Sequence, residues 1–146
     1  MTDSDTDPSG QAIASARAAL GLDAHEPVRT WTVARMHPGA PDFVLAIFGE
    51  AQRATGIAAV NPISGEVLES ARLPGTEPYR LLSADEAILR AGLPPGTQAR
   101  LVWDPSPATR SRFYPLWQLQ SGERRVWVDS VRGTVWQTLD APTRGG

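Results

Sequence analysis

The chain has 146 residues, with 41% hydrophobic and 21% charged. That is the size and balance of one ordinary globular domain, so disorder throughout is excluded. The net charge is −2, all 14 basic residues are arginine, and there is no cysteine. These counts exclude disulfides, thiolate nucleophiles, zinc–sulfur sites, a Schiff-base lysine and a phosphate-cradling lysine. They also give no global pull toward nucleic acid or anionic membrane.

Residues 1–8 are polar and acidic and predict a disordered tail. They lack the basic and apolar regions of a secretory signal. No run approaches the ~20 apolar residues that a spanning helix needs. A cysteine-free chain without these features is expected in the cytoplasm. Ser9 reads as an N-cap, and Ile13, Ala16 and Leu20, with Ala12 and Ala19 beside them, predict a helix over 10–20. Gly21 ends it and Leu22 folds back on the last turn. Residues 28–36 are β-branched and aromatic and predict a strand. After the turn cluster 37–41 comes a strand over 42–48, apolar on both faces and therefore central. A hairpin loop over 49–55, a strand over 56–60, a turn over 61–65 and a closing strand over 66–71 follow.

The second half opens on Ser83-Ala84-Asp85-Glu86, the spacing of a capping box. Ala84, Ala87, Ile88 and Ala91 supply a small apolar face, and Gly92-Leu93 closes the helix as Gly21-Leu22 does. Strands are expected over 99–103, 113–120, 124–129 and 134–139, with a loop over 104–112 and turns at 121–123 and 130–133. Pro115 places the start of the second of these at an edge.

The halves overlay. Gly21-Leu22 matches Gly92-Leu93 at an offset of 71, and 60–68 matches 128–136 at an offset of 68. A shorter hairpin loop in the second copy would account for the difference. One short helix over a few strands makes a marginal core, and two copies can share one. The organisation expected is a tail over 1–8, a first repeat over 9–73, a linker over 74–82, a second repeat over 83–140 and a tail over 141–146.

Two stretches share a hairpin of the form Val–Asx–x–x–x–Gly–x–Val: Val60-Asn61-Pro62-Ile63-Ser64-Gly65-Glu66-Val67 and Val128-Asp129-Ser130-Val131-Arg132-Gly133-Thr134-Val135. With a helix ahead of the strands, this resembles the PepSY domain, in two degenerate tandem copies covering residues 9–140. The resemblance implies an α+β fold: two helix-plus-antiparallel-sheet repeats, with two short helices packed on twisted antiparallel sheet. It also implies a role in binding or restraining peptidases. The export signal and the peptidase or membrane segment that often accompany the family are not read here.

No catalytic constellation is legible. His25 and His37 are the only histidines and sit in Pro-flanked loops, so no metal is expected. There is no G-x-S-x-G elbow, Ser64 lies in a turn and Ser83 is a cap. Asp85 and Glu86 are explained by capping and the helix dipole. No nucleotide motif is present, and no cofactor is expected. The tryptophans are more informative. Trp103, Trp117, Trp127 and Trp136 crowd the second half, against a lone Trp31 in the first. They either fill a core or face outward. Trp127 alternates with Val126 and Val128, so it faces outward if those valines face inward. Trp117, Trp127, Arg110, Arg112, Arg124 and Arg125 therefore form the expected partner-binding surface, since Trp and Arg are favoured at interfaces. The function expected is a non-catalytic protein-binding or regulatory module. The alternative is a homo-oligomeric structural component, and third comes a small-molecule-binding domain or an unrecognised enzyme. The acidic balance argues against nucleic acid.

Overall fold

From Phe43 to Gly49 every residue is buried. That run forms most of a strand, β2 (Phe43–Glu50), flanked by β1 (Val28–Arg35) on one side and β3 (Arg53–Val60) on the other. The computed structural model describes residues 8–139, and among them it forms two helices and eight strands, an α+β fold. The chain divides into two compact units. The first runs to Val33 and resumes over Gly39–Arg80; the second takes Ala34–Pro38 and everything from Leu81. The break after Arg80 falls inside the expected linker. The assignment of 34–38 to the second unit is not visible from a boundary drawn along the chain.

In the first unit the order across the sheet is β4 (Val67–Arg72), β3, β2, β1, all antiparallel. Helix α1 (Pro8–Leu20) lays Ala12, Ala16 and Leu20 on Val44, Ala46, Phe48, Ala58 and Val60. Its alanines and Gly56 let it lie close: a Cβ on Gly56 would stand 2.9 Å from Leu20 Cδ1. The helix begins at Pro8, not at Gly10, so Ser9 lies inside it and is not the N-cap. Proline suits a first helical position, where its missing N–H has no partner to lose. The expected disordered tail otherwise covers 1–7, which lie outside the described residues, as do 140–146.

The expected loop over 49–55 is instead a tight turn, with Glu50 paired to Arg53. A bulge at Phe48/Gly49 makes this possible. Gly49 has φ of 103°, and a Cβ there would come within 2.4 Å of the Arg53 carbonyl. Only glycine fits.

In the second unit, α2 (Ala84–Ala91) is capped as its spacing predicts. Glu86 N–H donates to Ser83 Oγ at 3.1 Å and Ser83 N–H to Glu86 Oε1 at 2.8 Å. The helix covers an antiparallel sheet of β5 (Gln98–Trp103), β6 (Leu116–Ser121), β7 (Arg124–Asp129) and β8 (Val135–Trp136). Ala87, Ile88 and Leu93 pack there on Leu119, Val126 and Val128. Each buried Leu, Ile or Val among them contributes about 1.5–3 kcal/mol. The expected strand over 113–120 begins only at Leu116, because Pro115 has no N–H to give a ladder. Its carbonyl instead accepts from Ser130 N–H at 3.0 Å and Ser130 Oγ at 2.6 Å. The expectation of purely antiparallel pairing is also corrected: Ala34 and Arg35 pair parallel with Val102 and Trp103.

Each unit runs helix, then four strands. Both helices end alike. Leu22 N–H reaches Arg17 O at 3.0 Å, and Leu93 N–H reaches Ile88 O at 3.1 Å, each after a left-handed glycine. Both Asx turns also close alike. Asn61 Oδ1 accepts from the N–H groups of Ile63 and Ser64, and Asp129 Oδ1 from those of Val131 and Arg132. Gly65 N–H and Gly133 N–H each donate at 2.8 Å to the carbonyl of their Asx residue. The three-residue offset difference does not come from a shorter loop. Both hairpins turn over two residues, 51–52 and 122–123. The strand after the turn is shorter in the second unit.

Candidate functional site

Side chains alternate across a strand, so the two faces of the β5–β6–β7 sheet can be read from its register. One face carries Ala99, Trp117, Leu119, Val126, Val128 and Val135 and packs beneath α2. The other has two halves. Its apolar half is Val102, Ala108 and Leu116, with Ala34, Met36, Trp127, Trp136 and Leu139 packed on them. Its polar half is an open depression of about 580 Å³, whose lining includes Gln98, Arg100, Gln118, Gln120 and Arg125. Gln98, Arg100 and Arg125 are exposed there, and no carboxylate lines it.

Trp127 sits at the border of the halves. It is half-buried, and its Nε1–H donates to Gln118 Oε1 at 3.2 Å across the pairing of β6 and β7. One register step away, Arg125 donates to Gln120 Oε1 from Nε at 3.3 Å and from Nη2 at 3.0 Å. Indole N–H and guanidinium are donors only, so both glutamine amides are oriented with oxygen toward these β7 side chains.

The six residues expected to form one surface are therefore dispersed. Trp127 and Arg125 share the open face. Trp117 lies on the opposite face, packed toward α2, with Nε1–H donating to Leu82 O at 2.8 Å. Arg124 is exposed at the hairpin end, in the alternation of Val126. Arg112 stacks on the Trp103 ring at 4.9 Å, and Arg35 stacks on the same ring at 5.2 Å. Arg110 is exposed in the 104–115 loop, beside a separate 290 Å³ depression with Tyr114 and Arg132. Sequence reasoning missed Gln98, Arg100, Gln118 and Gln120. Their signal is an alternation, Gln-x-Arg opening β5 and Gln-x-Gln ending β6.

A second polar cluster braces the second unit. Asp104 Oδ1 accepts from Arg35 Nε at 2.8 Å and Nη2 at 2.6 Å, and its Oδ2 accepts from the N–H groups of Met36 and His37. These bonds fix the segment that pairs with β5. Among the described residues no group of three His, Asp or Glu is placed to hold a metal, and both histidines are exposed. No helix among them is long and apolar enough to cross a membrane.

No family model matches the chain, and no curated protein matches it. Among solved structures, a candidate lipoprotein from Clostridium difficile 630 is 10% identical, with 85% of this chain and 86% of that chain covered at a TM-score of 0.32. At that score the likeness constrains neither fold family nor function.

Proposed function

We propose that this chain is a non-catalytic module that binds or regulates another protein through the open face of β5, β6 and β7. The observation that carries the reading is Trp127: a half-buried tryptophan, bonded to Gln118, at the border of an exposed, arginine-bearing sheet face. A ring held in place loses little entropy on docking, and Trp and Arg are the side chains most often dominant at interfaces. The surface is narrower than the sequence alone suggests, since Trp127 and Arg125 contribute to it and Trp117 does not.

The chain also reads as two degenerate PepSY-like units. Support comes from the same element order in each, the same helix endings and the same Asx-turn hydrogen bonds. The cytoplasmic setting expected of a cysteine-free chain is kept as part of this reading.

The test is affinity capture from the native host with wild type and with Arg125→Glu, which leaves the packed Trp127 ring in place. The reading predicts a protein held by wild type and released by the variant. Equal retention by both overturns it. Size-exclusion with light scattering on the same pair identifies the partner as a second copy if wild type self-associates and the variant does not.

A further inference from the structure

The open face is a donor surface, and we infer that its partner presents carboxylates from an extended acidic segment. This rests on the reading of that face as a protein-binding site.

The inference follows from where the acceptors go. Gln118 Oε1 is taken by Trp127 and Gln120 Oε1 by Arg125. One of the two Gln120 amide N–H groups is also taken, by Gly122 O at 3.2 Å. What remains toward solvent is the Gln118 amide NH₂, the Arg100 guanidinium and Nη1 of Arg125, with Gln98 beside them. Among the described residues the Arg100 side chain has no hydrogen bond or ion pair. No carboxylate lines the depression; the nearest along the chain is Glu123, in the hairpin turn. Such a face lacks negative charge, and its spare acceptor capacity is confined to Gln98 and the second lone pair of Gln118 Oε1; donors and positive charge outweigh it, so the groups that complement it are anionic acceptors.

The spacing favours a peptide over a single anion. The register sets Arg100 beside Gln118 and Trp127, and Arg125 beside Gln120 and Gln98. The two arginines are thus two strands and two residues apart, roughly 12 Å between backbones from ordinary sheet spacing and rise. Arg125 is pinned on Gln120, so its charge does not swing over to Arg100. Two carboxylates about four residues apart on an extended chain match that separation. Nucleic acid fits less well, because two arginines in a chain of net charge −2 give little phosphate neutralisation.

The experiment is an amide-resolved NMR titration of the full chain with a synthetic peptide in which Glu alternates with Thr. A peptide with Gln in place of every Glu and an oligothymidylate serve as comparisons. The inference predicts saturable shifts at 98–100, 118–120 and 125–127 with the Glu peptide only. Arg100→Gln and Arg125→Gln should each weaken binding about two- to fivefold, as expected for exposed charge pairs. Equal shifts with the Gln peptide overturn the acidic partner but leave a protein-binding face. Tighter binding of oligothymidylate at these amides overturns both. No shift with the Glu peptide overturns this inference alone, and capture with Arg125→Glu then judges the other.

Discussion

Trp127 Nε1 lies 3.2 Å from Gln118 Oε1, its direct partner across the β6–β7 ladder. That bond holds the indole over β6, where it packs with Val102, Ala108 and Leu116. One ring therefore closes the apolar half of the face and borders the polar half. Half-burial on that cluster makes the ring part of the packing as well as of the surface. Trp127→Ala should destabilise by about 2 kcal/mol, below the range for fully buried Trp. Trp127→Phe, which keeps most of the packing and loses the N–H, should cost about 1 kcal/mol. Urea denaturation of the two variants checks both. No loss for the alanine variant would mean that the ring does not pack.

The bulge at Gly49 should be the least forgiving glycine of the hairpins. A Cβ there meets backbone atoms, Arg53 O at 2.4 Å and Thr55 N at 2.8 Å, which cannot move without breaking the turn. Gly122 has φ of 62° and open space around it. Gly49→Ala should cost about 3 kcal/mol or more, and Gly122→Ala about 1 kcal/mol, from the left-handed conformation alone. Thermal denaturation ranks them, and equal costs would contradict the bulge.

Asp104 accepts from Arg35 and from the backbone of Met36 and His37. Its side chain is 15% exposed and that of Arg35 18%. Asp104→Ala should cost about 2–3 kcal/mol, because it removes the acceptor of two backbone N–H groups and the carboxylate beside the Arg35 guanidinium. Arg35→Ala should cost less, since Asp104 keeps both backbone bonds. Faster amide hydrogen exchange at 36 and 37 in the Asp104 variant, and not in the Arg35 variant, checks the assignment.

What the sequence reveals and what it hides divide along one line: the range of the interactions. The Ser83–Glu86 capping box, the glycine-ended helices and the Asx turns are closed by bonds within a few residues, and their spacing is readable. The parallel pairing of Ala34–Arg35 with Val102–Trp103 joins residues far apart in the chain and leaves no local mark. The fate of Trp117 is subtler. A three-residue turn at 121–123 pairs Trp117 with Trp127 on one face. The observed two-residue turn at 122–123 shifts the register by one, pairs Trp127 with Gln118, and sends Trp117 to the helix side. A one-residue slip flips every side chain of a strand, so the site turned on a turn length that periodicity does not fix.

The most direct measurement is photo-cross-linking in the native host from a benzoyl-phenylalanine placed at Gln98, exposed on the open face, against one at Ile63, which is 82% exposed in the first unit. A docking face around Trp127 predicts a discrete protein adduct from position 98 and none from position 63. Adducts of equal yield from both positions, or none from position 98, would contradict it.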